Sequence, residues 1–485
     1  MIRDSPGNLY GTTYYGGGTA GAGVVLKLDT AGNETALYSF TGAPDGSNPW
    51  AGVIRDSAGN LYGTTIFGGT AYNGAVYKLD TAGHETVLYS FAGGADWAEP
   101  SYGPLVCDSA GNLYGTTQGG GAAGGFAGEG VVYKLDATGQ ETVLYSFPGM
   151  ADGSYPEAGV IRDSSGNLYG TTNGGGAANA GTVFKVDARG HETVLNSFTG
   201  GADGGNPQAG VIRDSSGNLY GTTLWGGTTG QGVVYKLDTT GQETVLYSFT
   251  GGPGHPYAGV IQDSAGNLYG TATFGGAGVG AVYKLDTSGQ ETVLYTFTSG
   301  ADGGYPYAGV ILDSGGNLYG TTEYGGTANA GVVYKVDTTG HQTVLYNFTG
   351  GAGGGHPSAG VIRDSTGNLY GTTGNRRAAG AGVAYKVDTT GHYTVLYSFT
   401  GGADGRYPEA SVIRDSAGNL YETAYSGGKA STGVVFKLCR SDAALMGTLR
   451  ARRVGCLAEP PAEPPAPPRQ CRVSHHESNP IWVSR

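Results

Sequence analysis

Charge is scarce in this chain. Asp, Glu, Lys and Arg together make up 14% of its 485 residues, against roughly a quarter in ordinary globular domains. The charge that is present is acidic: 27 basic and 39 acidic residues give a net charge of −12. Such a surface repels phosphate backbones and anionic lipid, which argues against nucleic-acid and membrane-surface partners. Cysteine is nearly absent, with Cys107, Cys439, Cys456 and Cys471 the full set. Only Cys107 and Cys439 fall within the repeated part of the chain, so no disulfide framework is expected to hold it together. No apolar run approaches the roughly 18 residues a membrane helix needs, so no transmembrane segment is expected.

Glycine and tyrosine fill the space that charge leaves. The chain has 95 Gly and 34 Tyr, and aromatics reach 11%. Simple disorder does not fit, because disordered chains are rich in charge and poor in aromatics. Collagen does not fit either, since the glycines follow no every-third-residue period. A helical bundle would lose about 1 kcal/mol at each interior glycine. What remains is an all-β protein of many short strands and tight turns.

An internal repeat organises the chain. The string Asp-Ser-x-Gly-Asn-Leu-Tyr occurs nine times, beginning at Asp4, Asp56, Asp108, Asp163, Asp214, Asp263, Asp313, Asp364 and Asp415, with a mean spacing of about 51 residues. A second string, Val-Tyr-Lys-Leu-Asp with variants, follows each copy and always keeps its lysine, from Lys27 to Lys437. A third, Glu-Thr-Val-Leu-Tyr-Ser-Phe with variants, appears eight times, from Glu34–Phe40 to Tyr393–Phe399. Each unit therefore reads as four strands; in unit 5 these are Ala209–Arg213, Leu219–Thr223, Val233–Leu237 and Thr244–Phe249. Their Val, Ile, Thr, Tyr and Phe suit a pleated surface. Apolar residues at both parities of the third and fourth strands predict burial on both faces. Two hairpins turn on Asp-x-x-Gly, Asp214–Gly217 and Asp238–Gly241, with Asp bonding backbone amides and Gly supplying positive φ.

Four strands per repeat of this length predict a β-propeller of about eight to nine four-stranded antiparallel blades over residues 1–438. A β-solenoid is the competing architecture, but its coils are usually shorter and need no paired hairpins. Propeller is preferred.

The run Leu-Tyr-Gly-Thr-Thr-x-x-Gly-Gly, followed after a short gap by Gly-x-Val-Tyr-Lys-Leu, resembles the GloVer tandem repeat of bacterial choice-of-anchor proteins. The resemblance covers residues 1 to about 438. It implies an exported or surface-attached protein, often with a C-terminal sorting anchor, and it implies no defined activity. More distantly, Asp-x-x-Gly-Asn-Leu-Tyr is similar to NHL-type propeller repeats; the kelch tryptophan is missing.

The two ends depart from the pattern. Met1 stands where later units have valine, and the expectation is an N-terminal truncation, since a signal peptide usual in the family is missing. At the other end Val434–Leu438 should continue into a turn, but Cys439-Arg440-Ser441 follows. A frameshift is the favoured reading of 439–485 and a polyproline-type linker the second, with a disordered tail expected in both.

The search for chemistry is mostly negative. There is no Gly-x-Ser-x-Gly elbow, no His-Glu-x-x-His and no phosphate-binding loop. His84-Glu85-Thr86-Val87-Leu88 lacks the second ligand of a zinc motif, and His84, His191, His341 and His392 read as exposed hairpin residues. The nine lysines read as reaching solvent or pairing with acids of the Glu34 and Glu85 class. No cofactor is expected. Calcium alone merits weighing, because Asp45, Asp96, Asp152, Asp203, Asp302 and Asp404 recur in the linkers. One carboxylate per loop falls short of the six to eight oxygens calcium takes.

Function is sought where the copies differ. Linkers between units and the Gly-Gly loops between second and third strands emerge on one face, opposite the tight turns, and they are the variable segments. The position before the diglycine holds Tyr15, Phe67, Trp225, Phe274 and Tyr324 in five units, but Gly119, Gly174, Asn375 and Ser426 in others. These aromatics can stack on sugars, anchor a partner, or simply cover a neighbouring blade. The expectation is a non-enzymatic propeller, extracellular or at the cell surface, that binds a glycan or a protein through this face. A lyase or hydrolase with its site at the channel mouth, and a structural surface repeat without a discrete ligand, are the alternatives.

Overall fold

In a computed structural model the described residues are 2–451 apart from 5, 7, 14–20, 30–33, 50, 92–104, 121–128, 137–139, 150, 251, 253, 275–278, 375–380, 401–405, 409–411, 415–419, 427–433 and 441–448. They form eight four-stranded antiparallel sheets and a ninth of five strands, one per sequence unit. The only helix among the described residues is a 3-10 turn at Gly351–Gly353. Each of the eight runs in simple order from its first to its fourth strand. This is the blade pattern of a β-propeller.

Unit 5 shows the common plan, with strands Ile212–Arg213, Leu219–Thr223, Val233–Leu237 and Glu243–Ser248. The first is shorter than the expected Ala209–Arg213. Its missing part serves the seam between units instead. The Thr171 hydroxyl of unit 4 donates to the Ala209 carbonyl (3.3 Å), and the same bond recurs from Thr222 to Ala258, Thr271 to Ala308 and Thr321 to Ala359. Burial also differs from expectation in the fourth strand. The second and third strands are buried on both faces, whereas the fourth is only half-buried along its length. It is the outer edge of the blade.

Both turns close as the residue types dictate. Asp214 accepts from the Asn218 amide (2.9 Å), from Asn218 Nδ2 (2.8 Å) and from the Tyr220 hydroxyl (3.0 Å), and Gly217 has φ 95°. Burial works against the Asp214 carboxylate, yet these bonds hold its pKa below the usual range. Asp238 accepts the Thr240 and Gln242 amides in the second turn.

Apolar clusters lie between units rather than within them. One joins Ala180, Val183 and Phe198 of unit 4 to Leu219, Tyr235 and Leu237 of unit 5. Its centre is an edge-to-face pair, Phe198 on Tyr235, with centroids 5.1 Å apart; Phe249–Tyr283, Phe297–Tyr334 and Phe348–Tyr385 repeat it. Such pairs add about 0.5–1.5 kcal/mol beyond their buried area. This explains the phenylalanine that ends each third string. It also explains the glycine of Leu-Tyr-Gly-Thr-Thr: a Cβ on Gly221 would lie 2.4 Å from the Tyr235 hydroxyl.

That hydroxyl is buried with no hydrogen-bond partner, as are those of Tyr77, Tyr283 and Tyr334. An unpaired buried hydroxyl costs about 1–3 kcal/mol, and unit 4 carries Phe184 at this place. Tyr235→Phe is therefore expected to leave stability unchanged or raise it by about 1 kcal/mol, as read by urea denaturation. A clear loss of stability would show that the hydroxyl has a partner.

A cation covers the second-strand tyrosine at each of the eight seams between consecutive units. Arg55, Arg162, Arg213, Arg363 and Arg414 of one unit lie over Tyr10, Tyr114, Tyr169, Tyr319 and Tyr370 of the unit before. Units 3, 6 and 7 have Cys107, Gln262 and Leu312 in place of that arginine. At those three seams the tyrosine's own unit supplies the cation: Lys78 over Tyr62, Lys236 over Tyr220 and Lys284 over Tyr269. These lysines thus lie on rings rather than on the Glu85-class acids. One oxygen each of Glu85, Glu192 and Glu243 is buried without a hydrogen-bond partner.

The ninth sheet is irregular. Its last strands are Val434–Arg440 and Leu449–Ala451, paired in register Leu438↔Ala451. Residues 439–440 and 449–451, assigned to the tail by the repeat count, thus join the sheet; the rest of 441–485 lies outside the described residues.

Candidate ligand-binding face

Antiparallel order puts both Asp-x-x-Gly turns of a unit on one side, and the linkers and second-to-third loops on the other. On that second side the linker and loop are stitched together. Trp225 and Gly205 exchange backbone bonds (2.8 and 3.0 Å), and Phe67 with Ser47, Phe274 with Gly254 and Tyr324 with Gly304 form equivalent bridges. The diglycine then turns the chain back with φ 77° and 78° at Gly226 and Gly227. Phe67, Trp225, Phe274 and Tyr324 are therefore each held at a fixed point of their seams. Trp225 is 51% exposed and Phe67 41%, while Phe274 and Tyr324 are half-buried. Tyr15 lies outside the described residues.

A second set of side chains, not singled out from the sequence, stands beside these. The residue before the last proline of the linker has positive φ in seven described linkers: Asn48, Tyr155, Asn206, His255, Tyr305, His356 and Tyr407 lie between 54° and 60°. Non-glycine residues seldom adopt this conformation, and it survives only where the surroundings fix it. Here the backbone spans two units. The Tyr305 amide donates to Val279 of unit 6, and its carbonyl accepts from Glu323 of unit 7 (3.1 Å).

The two sets interleave into one row. Trp225 packs edge-to-face on His255 (4.5 Å between centroids), followed by His255 with Phe274 (6.4 Å), Phe274 with Tyr305 (5.5 Å), Tyr305 with Tyr324 (5.4 Å) and Tyr324 with His356 (5.2 Å). Tyr257 and Tyr307, just after the linker prolines, flank it 5.8 Å apart, and both touch Phe274. The row runs from unit 5 to unit 8; Gly174 and Asn206 interrupt it at unit 4. Burial, then the Glu323 charge and the neighbouring tyrosines, push the Tyr307 pKa up to about 12. His255 Nδ1 lies 2.9 Å from the Leu224 carbonyl, and His356 Nδ1 lies 3.1 Å from that of Glu323. A carbonyl only accepts, so the proton sits on Nδ1 and leaves Nε2 of each neutral imidazole as an acceptor.

The linker carboxylates are occupied within their own loops. Asp203 accepts from the Thr199 amide and hydroxyl, and Asp302 from those of Thr298 and from Tyr295. Asp96 and Asp404 lie outside the described residues. Among the described residues no group of three or more His, Cys, Asp or Glu is placed to hold a metal ion. His84 and His191 are exposed and bond Asp80 and Asp187 of their own turns. On the turn side, a cleft of about 590 Å3 opens between units 5 and 6, lined by Arg213, Asp214, Lys236, Gln262, Asp263 and Asp286. It is the seam at which Gln262 replaces arginine. No helix among the described residues is long and apolar enough to cross a membrane.

The repeat strings and the blade plan have a counterpart among known families. The model of the Gloeobacter/Verrucomicrobia repeat matches residues 1–162, 122–315 and 308–451. The chain belongs to this family. No curated protein matches the Gloeobacter/Verrucomicrobia repeat chain. Among solved structures, a protein from Lactobacillus plantarum is 18% identical, with a TM-score of 0.39, over 70% of this chain and 96% of that one. Puromycin hydrolase is 14% identical (TM-score 0.39), and the match covers 73% of this chain and 53% of the hydrolase. The extracellular domain of BT4673 from B. thetaiotaomicron is 12% identical (TM-score 0.28), over 90% and 64% of the two chains.

Proposed function

We propose that this repeat propeller is a non-enzymatic binding module of an exported bacterial protein, taking an extracellular glycan or protein through its loop-rich face. The observation that carries the reading is the unbroken aromatic row from Trp225 to His356, with Trp225 half exposed at its end. Exposed aromatics held on rigid backbone present large contact area with little entropy to lose on binding. Residues that repeat in every unit are set by the blade, so a unique function belongs to what varies. The row varies, whereas the Asp-x-x-Gly turns opposite recur and the main exchange beside them is that of the seam arginine at Cys107, Gln262 and Leu312.

The test is a glycan array and a hydrolase panel, both run on the full chain. Binding without turnover is expected. Trp225→Ala should weaken that binding at least about tenfold, with the melting temperature unchanged. Hydrolysis of a panel substrate would favour the enzyme alternative. A Trp225→Ala protein that melts early but binds normally would make the tryptophan a packing residue.

A further inference from the structure

We propose that the aromatic row of units 5–8 seats an uncharged polysaccharide chain across several consecutive sugar subsites, an inference that rests on the loop-face reading above. The first argument is charge. The described residues of segments 198–211, 224–232, 249–260, 273–280, 297–310, 323–331 and 348–361 build this part of the face, and these segments contain no lysine or arginine; the equivalent loop of unit 8 carries Arg376 and Arg377, which lie outside the described residues. Their acids are Asp203, Asp302 and Glu323. Along units 5 to 7 a polyanionic glycan would meet only like charge. With Asp203 and Asp302 already hydrogen-bonded inside their loops, there is little free charge for a cationic ligand either.

The second argument is chemical pairing. A pyranose ring has an apolar C–H face and a rim of hydroxyls, so it needs an aromatic surface with hydrogen-bonding groups at its edge. The row supplies both in alternation. Trp225, Phe274 and Tyr324 give ring surface; His255 and His356, protonated on Nδ1, keep Nε2 as an acceptor; Tyr257 and Tyr307 bring phenol hydroxyls beside Phe274.

The third argument is periodicity. The row is one motif copied from seam to seam, with steps of 4.5 to 6.4 Å between neighbouring rings. A repeated seat suits a ligand that itself repeats, which a folded protein surface does not. Each sugar added along the row should therefore add contact until the seats are filled.

The experiment is titration calorimetry of the full chain with cellohexaose, xylohexaose, laminarihexaose, mannohexaose and maltohexaose, and with the disaccharide of each. At least one hexasaccharide is expected to bind, with its disaccharide at least about tenfold weaker. The affinity should hold up to about 1 M salt, where the Debye length has shrunk to about 3 Å. Trp225→Ala and Phe274→Ala should each weaken it at least about tenfold, with Trp225→Phe retaining most of it and thermal melting reporting the fold. Failure of all five hexasaccharides to bind overturns the inference, as does binding confined to polygalacturonate or heparin and lost in salt. If a protein or an acidic glycan binds instead and Trp225→Ala abolishes it, the loop-face reading stands and only the polysaccharide falls. Binding of any ligand that survives both alanine variants removes both.

Discussion

Gly226→Ala is expected to destabilise the protein by about 2–4 kcal/mol and to abolish ligand binding together with stability. Gly226 has φ 77°, and a Cβ there would lie 2.5 Å from the Cα of Gly204 and 2.6 Å from its carbonyl carbon. Backbone meets backbone, so no side chain can swing aside. Relief requires the linker to move away from the loop, which breaks the Gly205–Trp225 bridge and the bond from the Gly227 amide to the Gly201 carbonyl (2.6 Å). Gly217→Ala on the turn side is the control. Its Cβ would meet the tip of the Arg213 side chain at 2.9 Å, a flexible neighbour, so the loss should be nearer about 1 kcal/mol, with binding intact. Urea denaturation and a binding isotherm on both variants decide this. Equal effects would mean that the linker and loop are not locked as described.

Acidification from pH 8 toward pH 5 is expected to stabilise the protein, the reverse of the usual behaviour of a chain rich in paired carboxylates. Burial, and behind it the facing Asp45, Asp152 and Asp203, push the pKa of Glu85, Glu192 and Glu243 up to about 7. In the first two clusters the Tyr38 and Tyr145 hydroxyls donate to the aspartate and leave the glutamate bare. The sign follows from proton counting. Between about pH 4.5 and 7 the folded chain holds more protons than the unfolded one, so the contribution is full below 4.5 and is lost as pH rises through 7. Each of these half-buried carboxyls should contribute on the order of 1 kcal/mol, after discounting for solvent screening. The turn aspartates act in the opposite sense at lower pH: Asp364 is held at about 2 by its hydrogen bonds against the cost of burial. Stability should therefore peak near pH 5. Unit 7 carries Gln342 at the glutamate position, with Nε2 donating to the Asp302 carbonyl (3.2 Å). The triple variant Glu85→Gln, Glu192→Gln, Glu243→Gln should accordingly be more stable at pH 8 and lose most of the dependence between pH 5 and 8, the remainder staying with Glu157 and Glu291, whose carboxyls burial also pushes up. A wild-type denaturation midpoint that falls between pH 8 and pH 5 would contradict the assignment.

What could be read from the sequence was whatever repeats locally. The strand strings, both turn types and the unit length led directly to the blade, because each hairpin is decided by residues a few positions apart. Contacts across seams were harder to see. The lysines were expected to reach solvent or meet glutamates. The arginine exchanges at Cys107, Gln262 and Leu312 were the available signal that a lysine and an arginine compete for one tyrosine ring. The candidate site was half legible. Phe274 and Tyr324 stood out as variable aromatics before a diglycine, but His255, Tyr305 and His356 lie about thirty residues or less from their ring partners, in a different segment. Their common trait, a variable residue before a linker proline, is visible in the sequence. That it takes positive φ is not, since a residue preceding proline is ordinarily extended.

The most direct measurement is amide hydrogen exchange of the full chain with and without the ligand that the array selects. Bound ligand should slow exchange at 224–227, 254–257, 273–274, 304–307 and 323–326, the segments that carry the aromatic row. Exchange at the turns 214–218 and 263–267 should not change. Protection confined to those turns and to the cleft beside Gln262, with the aromatic segments unaffected, would contradict the account.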